Sequence, residues 1–323
     1  MIQYFCFSKG KLVKEDSDLG FLRVALYEED IQVWVDVEQP SAEETKTLLE
    51  DVFNFHPLAI EDCVAVSERP KIDQYEGYLF MVIHAIDFSP IEHQFSTTEL
   101  NMFIGKNFLV TFHRDPLRSV IATIDSIRKN PTSIARAPDR LSYHILDVLL
   151  DRYEPALDAL ADDISGIEQN VLVSQSTETL NDILHLKGQV QRLRQIMAPQ
   201  RDVISKLAHG EYSPVRTTML PYYRDLLDRI ARFADTADGQ RESLSNTVQI
   251  LLNLQQNRMN QVVKVLTVLA TLSTPVLVVT SFYGMNFNHW PKMASPLAYP
   301  WVFAVTAAFT AALYWFLKRK NWL

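Results

Sequence analysis

The chain has 323 residues, 47% of them hydrophobic, with a formal net charge of −8 and two cysteines. That length allows one large or two small domains with ample material for a core. The acidic balance argues against nucleic acid as a partner, and Cys6 and Cys63 match neither a zinc nor a redox spacing. Glycine is scarce at 9 residues, no low-complexity tract occurs, and no basic-then-apolar leader opens the chain, so the long polar portion is expected in the cytosol.

Residues 1–135 mix strand and helix signals and predict an α/β domain with a mixed sheet. Phe21–Leu26 and Ile31–Val35 read as strands, being rich in β-branched and aromatic residues. Ser41 with Glu44 three residues on forms a capping box that opens a helix to about Phe53. His56-Pro57 opens a second helix to about Val66, with proline at the first helical position. Strands follow over Tyr78–Ile86, Glu99–Gly105 and Phe108–His113, the last two joined by the turn chemistry of Gly105-Lys106-Asn107. Asp115-Pro116 starts a helix to about Lys129.

Residues 136–212 predict an antiparallel helical hairpin. Leu141, Ile145, Leu149, Tyr153, Leu157, Leu160, Ile164 and Ile167 recur at helical spacing, with a kink expected at Pro155. The opposite face carries Asp151, Glu154, Asp158, Asp162, Asp163 and Glu168; it reads as a solvated face or, alternatively, a cation-binding one. Gln175-Ser176-Thr177 breaks the pattern before a second helix with Leu180, Ile183, Leu184, Leu186, Val190, Leu193 and Ile196.

From near Thr217 a third pattern carries Leu226, Leu227, Ile230, Phe233, Ala237, Leu244, Val248, Leu251 and Leu252. No proline falls between Pro221 and Pro275, so one helix of roughly 60 residues, ~90 Å long, is expected to run from a cytosolic stalk (213–261) into a membrane span (262–283). Such a stalk needs copies of itself or the hairpin for cover, which points to parallel stalks in an oligomer.

Val265–Phe282 is uncharged for 18 residues and Ala298–Leu317 for 20, each long enough to cross a hydrocarbon core. The second span is taken as 297–318, followed by a basic tail, 319–323; Trp315 and Trp322 flank its basic end. Arg258 and Lys264 precede the first span and Lys318, Arg319 and Lys320 end the second, whereas the link between them, 284–296, holds one lysine, Lys292. The positive-inside rule then places both termini in the cytoplasm and the link outside.

Asn260, Val263, Leu266, Ala270, Thr274, Leu277 and Ser281 step by three or four residues and share one side of the first span. Small and hydroxyl residues on one face suit either a helix–helix seam or a pore lined by one copy per subunit. In the pore reading, Asn260 and Asn286 form rings of amide oxygens at the two ends. Neutral oxygens can accept hydrogen bonds from the bound waters of Mg²⁺, an ion that dehydrates reluctantly. Gly284 lets several chains approach closely at the mouth, and Leu266 suits a constriction that gates by excluding water.

Tyr283-Gly284-Met285-Asn286 at the end of the first span resembles the signature of the CorA family of divalent-cation transporters. Val265-Leu266-Thr267, Pro275, Phe55-His56-Pro57-Leu58-Ala59-Ile60-Glu61-Asp62, Arg69-Pro70-Lys71, Tyr78-Leu79-Phe80, Phe108-Leu109-Val110-Thr111 and the terminal Trp322-Leu323 extend the likeness over nearly the whole chain. The resemblance implies a funnel-shaped homopentamer of αβα domains in the cell inner (plasma) membrane, with first spans ringing the pore and second spans outside them. It implies Mg²⁺ as cargo, with Co²⁺ and Ni²⁺ also carried, and Gly284, Met285 and Asn286 as the selectivity filter. Asn260, Leu266 and Thr274 fall at pore-lining positions. It further implies closure by cytosolic Mg²⁺ held between subunits, with Asp62 and Asp225 as the two carboxylates. The link departs from the family's usual acidic loop, reading Asn288-His289-Trp290-Pro291-Lys292 with no carboxylate, and Gln249 replaces a frequently acidic stalk position. Two other readings stand beside a Mg²⁺ channel: a Zn²⁺ transporter of the same superfamily, with or without proton coupling, and a membrane-anchored cation sensor or scaffold. No nucleophile–base arrangement or phosphate-binding glycine loop points to an enzyme or an organic cofactor.

Overall fold

The computed structural model describes residues 1–28, 30–65, 69–89, 94–174, 176–285, 298–320 and 322. They form two compact units, Met1–Thr247 and Val248–Leu323. The first is built on a seven-stranded sheet in the order β2-β1-β3-β7-β6-β5-β4. Its strands are β1 (Ile2–Ser8), β2 (Lys11–Asp16), β3 (Ile31–Glu38), β4 (Lys71–Tyr75), β5 (Tyr78–Ser89), β6 (Gln94–Gly105) and β7 (Phe108–His113). The β3–β7 pair is parallel, with Val35 opposite Val110, and the remaining neighbours are antiparallel, so the sheet is mixed as expected. The Gly105-Lys106-Asn107 turn joins β6 to β7 as a hairpin, with Ile104 opposite Leu109.

Both faces of the sheet are buried, which explains its nearly continuous apolar strands. On one face Val33, Val35, Phe80, Phe103 and Val110 pack with Leu22, Ala25, Leu48, Leu49, Ala59 and Cys63. These last come from α1 (Leu19–Tyr27), α2 (Ala42–Lys46) with its π-helical continuation Thr47–Val52, and α3 (Pro57–Val64). On the other face lie Trp34 and Asp36, alternating with the valines of β3. Trp34 stacks on Phe5 at 5.1 Å and donates its indole N–H to Thr111 Oγ1 at 3.0 Å. Helices α4 (Arg118–Lys129), α5 (Pro131–Ile134), α6 (Pro138–Leu150), α7 (Tyr153–Val173) and α8 (Thr177–His209) follow the sheet, and α6, α7 and α8 pack against its strands. The layers are therefore α/β/α.

Three sequence expectations change. Phe21–Leu26 is helical, not a strand: Asp18 caps α1 by accepting from the Gly20 N–H, and Leu22 and Ala25 are buried at helical spacing while Phe21 and Val24 face out. The strands β1, β2 and β4 were not foreseen. Pro155 does not kink a long helix; the chain breaks before it, at Asp151–Arg152, and Pro155 sits third in α7, where a missing N–H costs little. The capping box at Ser41 and Glu44 forms as expected, with both reciprocal hydrogen bonds. The hairpin of α7 and α8 forms too, with Leu157, Leu160, Ile164, Ile183, Val190 and Leu193 buried, although Leu184 is exposed. Gly210 ends α8 with a left-handed φ of 72°, the conformation a helix C-terminus readily assigns to glycine.

Helix α9 runs unbroken from Leu220 to Tyr283, through Pro275, and α10 spans Ala298–Arg319. The early part of α9 is fixed to its neighbours by polar contacts. Tyr223 donates to the Asp139 carbonyl at 2.8 Å and lies 2.7 Å from Ser142 Oγ. Arg229 reaches Asp147 and Asp151, each at 2.5 Å. Gln240 donates to the Leu157 carbonyl at 2.8 Å, and Ser243 and Thr247 both donate to Glu168. The partners ascend together in both sequences, so α7 runs alongside α9 in the same direction.

Candidate functional site

The second unit pairs the apolar part of α9 with α10. Only 11% of the apolar window of α9 and 6% of that of α10 is buried, which is the reverse of a soluble core helix. Both helices are long and apolar enough to cross a membrane. Between them lies a groove of about 1050 Å³ lined by Leu272, Val276, Val279, Phe303, Thr306 and Thr310, among others. Val268 and Pro275 are buried and Leu272 and Val279 half-buried, so this is the side of α9 that α10 covers.

Each of these positions has a counterpart nine residues away, and nine residues are about two and a half helical turns. Val268 therefore stands opposite Leu277, Leu272 opposite Ser281, and Pro275 opposite Leu266. The stripe Asn260, Val263, Leu266, Ala270, Thr274, Leu277 and Ser281 thus lies on the face of α9 turned away from α10. All seven residues are exposed, with Leu266 at 59% and Leu277 at 62%. Thr274 donates its hydroxyl proton to the Ala270 carbonyl at 2.8 Å, as Thr267 and Thr271 do one turn back on their own helix. Thr274 consequently presents oxygen lone pairs outward rather than a proton, which suits a hydrated cation. Asn260 receives a hydrogen bond on Oδ1 from Gln256 at 3.3 Å.

At the end of α9 the Gly284 N–H still bonds the Thr280 carbonyl at 2.9 Å. A Cβ at Gly284 would stand 3.1 Å from that carbonyl oxygen, so any larger residue presses on the last turn. Met285 follows, 57% exposed. Asn286 and the link, including His289 and Lys292, lie outside the described residues. At the other end of the unit Arg319 packs 5.5 Å from the Trp315 ring centre.

The two carboxylates expected to regulate occupy different elements. Asp62, on α3, is half-buried and pairs with Lys71 at 2.5 Å, a partner the sequence reading did not assign. The nearby Arg69-Pro70-Lys71 segment was the signal that could have found it. Asp225 is exposed on α9, one turn before Arg229. It faces α6: Tyr143 has its hydroxyl pKa raised first by burial and then by the charges of Asp147 and Asp225. Burial also pushes the Asp147 carboxyl up, against the pull of Arg229, and pushes the neighbouring His144 down. Of the acidic face, Asp151 and Glu168 are engaged with α9, while Glu154, Asp158 and Asp162 are exposed. No group of three or more His, Cys, Asp or Glu is placed to hold a metal among the described residues of the single chain.

An α/β unit, a helix that continues from it into an apolar span, and a second span define an integral membrane protein with a large water-soluble part. Residues 29–319 match the model of the CorA-like Mg²⁺ transporter protein family, and the chain belongs to that family. It is 31% identical over 289 residues to YfjQ of Bacillus subtilis, covering 90% of this chain and 89% of that one. It is 29% identical over 297 residues to the cobalt/magnesium transport protein CorA of Thermotoga maritima, covering 90% and 83%. The complete structure of the CorA magnesium transporter from Methanocaldococcus jannaschii superposes with a TM-score of 0.83 at 23% identity, over 100% of this chain and 99% of that one. The protein is thus a divalent-cation transporter of the CorA superfamily and not an enzyme.

Proposed function

We propose that the protein is a Mg²⁺ channel, carrying Co²⁺ and Ni²⁺ as well, that assembles as a funnel-shaped homopentamer in the inner (plasma) membrane with both termini in the cytoplasm. The observation that carries this reading is the Asn260–Ser281 stripe, exposed along the face of α9 opposite α10. In a ring of five first spans that face lines the pore, and α10 stands outside it. Gly284, Met285 and Asn286 form the outer filter, where five amide oxygens accept hydrogen bonds from the waters of Mg²⁺ without the tight hold of a carboxylate ring. Leu266 supplies an apolar constriction. The domain divisions 1–135, 136–212, 213–261, 262–283, 284–296, 297–318 and 319–323 describe the functional parts, from the cytosolic α/β domain to the basic tail.

Regulation follows from charge. Asp62 and Asp225 are single carboxylates on separate elements, suited to a Mg²⁺ held by one carboxylate from each of two subunits with the rest of its shell water. Asp62 must then exchange Lys71 for the ion. Bound Mg²⁺ holds neighbouring subunits in the closed ring, and its loss leaves like charges to separate them.

The test is flux into proteoliposomes containing Mg²⁺- or Zn²⁺-sensitive dye, with and without a pH gradient. Saturable Mg²⁺ flux indifferent to the pH gradient is expected. Asn286→Ala should abolish selective flux with the oligomer intact on size-exclusion chromatography; unchanged Mg²⁺ selectivity removes Asn286 from the filter. Asp225→Ala should weaken inhibition by Mg²⁺ on the cytosolic side, and unaltered inhibition removes it from the gate. A second reading, a Zn²⁺ transporter with proton coupling, is favoured by the absence of a carboxylate in the 284–297 link and by 22% identity to the zinc transport protein ZntB of Yersinia pseudotuberculosis. Proton-driven Zn²⁺ uptake with no Mg²⁺ flux selects it. A cation sensor or scaffold predicts binding and assembly with no flux of either ion.

A further inference from the structure

A cleft of about 730 Å³ opens in the α/β unit, and none of the residues proposed for transport or its regulation lines it. Its walls come from the start of β3, the β4–β5 and β6–β7 turns, the residues leading into α6, and the segment that leads into α9. Gly77, in the β4–β5 turn, has a φ of 84° and no atom within 4 Å of where a Cβ would stand, so this side of the cleft is open.

The lining is chemically unusual for a chain of net charge −8. It carries three cations, Lys106, Arg136 and Arg216, against two carboxylates, Glu76 and Asp139. Asp139 is 1% exposed and already neutralised: Arg216 donates to it from Nε at 2.9 Å and Nη2 at 2.7 Å, and from its backbone N–H at 3.0 Å. Arg216 keeps Nη1 for another acceptor. Arg136 uses Nε on the Thr132 carbonyl at 2.9 Å, which fixes the side chain and leaves both Nη groups. Neither Lys106 nor Arg136 has a carboxylate partner among the described residues.

We propose that this cleft binds a small soluble phosphate monoester bearing hydroxyl groups. The phosphate sits among Lys106, the Nη groups of Arg136 and Nη1 of Arg216, where planar guanidinium groups match its oxygens. A hydroxyl of the ligand donates to the carboxylate of Glu76 on the open rim. Tyr75 takes no part by stacking, because its ring already packs between His56 and Tyr78, at 5.2 Å from each. The site is independent of the pore: it requires neither a pentamer nor ion flux.

The experiment is calorimetric titration of the full-length protein in detergent with glycerol 3-phosphate, inorganic phosphate and vesicles containing phosphatidic acid. Glycerol 3-phosphate should bind saturably, and more tightly than inorganic phosphate. The double variant Lys106→Ala/Arg136→Ala should lose roughly tenfold or more in affinity, the effect of removing charge-assisted hydrogen bonds. Glu76→Ala should erase the preference for glycerol 3-phosphate over phosphate while keeping phosphate binding. Lys129→Ala, at the exposed C-terminal end of α4 and outside the cleft lining, should leave both unchanged. Arg216 is left intact so that the buried Asp139 keeps its partner, and unchanged melting temperature checks the fold. No saturable binding, equal affinity in the double variant, or binding of the vesicles without free glycerol 3-phosphate overturns the proposal.

Discussion

Trp34, Phe80 and Phe103 in the α/β unit are wholly buried, whereas Leu266, Leu277 and Phe303 in the second unit expose more than half their surface. The residue types are alike; the solvent they are built for is not. In the first unit apolar side chains leave water for each other, at about 25 cal/mol per Å². In the second they remain outward because hydrocarbon or a neighbouring span receives them, and burial no longer separates inside from outside. Polarity does: on α9 the small and hydroxyl-bearing residues gather opposite α10. Burial alone therefore identifies none of the described residues proposed for the pore.

Substitutions can break this contrast. Trp34→Ala should cost about 3–5 kcal/mol, since it leaves a cavity under the sheet and removes the donor to Thr111. Leu277→Ala removes a side chain of similar character from an exposed position and should leave thermal unfolding of the α/β unit unchanged. Circular-dichroism melts of the two variants in detergent make the comparison, and equal destabilisation would show that the α9 face is packed within the chain.

Arg229→Gln comes next. Its guanidinium joins two carboxylates of the α6–α7 corner and is 17% exposed, but Asp151 is 62% exposed, so solvent screening reduces the loss to about 1–2 kcal/mol. Denaturant melts should show it, and Asp147→Asn in the same background should restore part of the stability by removing the half-buried charge that Arg229 had answered.

The smallest effect is a pH dependence. His113 is buried with Nε2 3.2 Å from Asp36 and Nδ1 2.8 Å from the Asp115 carbonyl, so both ring nitrogens face acceptors, an arrangement that favours the doubly protonated ring. Burial pulls its pKa down, but the hydrogen bond and charge of Asp36 outweigh it, and the net shift is upward. A folded-state pKa above the unfolded value of about 6.5 stabilises the protein fully below that value and loses the contribution as pH rises through the raised one. The stability advantage of wild type over His113→Gln should therefore shrink on going from mildly acidic to alkaline pH. A difference that grows with pH would mean a neutral imidazole.

Much of the fold was legible because its signals were local. The capping box at Ser41, the turn at Gly105 and the uncharged runs each specify one structure through chemistry within a few residues. The helix at Leu19–Tyr27 was misread because Phe21 and Val24 have strand character; the deciding features were Asp18 as a cap and the spacing of Leu22 and Ala25. The strands β1 and β2 were missed because a strand pairing is a relation between distant segments, such as Tyr4 with Val35, and leaves a weak mark on either alone. The stripe on α9 was readable from period alone, but its position opposite α10 was not, since nothing in α9 says which face a later helix will cover. The pairings of Asp62 with Lys71 and of Arg229 with Asp147 and Asp151 likewise join separate elements.

The hydroxyls of Thr267, Thr271 and Thr274 on α9, and of Thr306 and Thr310 on α10, all close onto carbonyls one turn back in their own helix. Each of these five donors is satisfied within its own helix and not by the other span. These side chains then meet a neighbour as smooth, non-directional surface. A helix packed this way can turn about its axis by sliding side chains past one another, with no hydrogen bond from these threonines to break first. For the pore wall proposed above, these threonines are then a bearing rather than a weld.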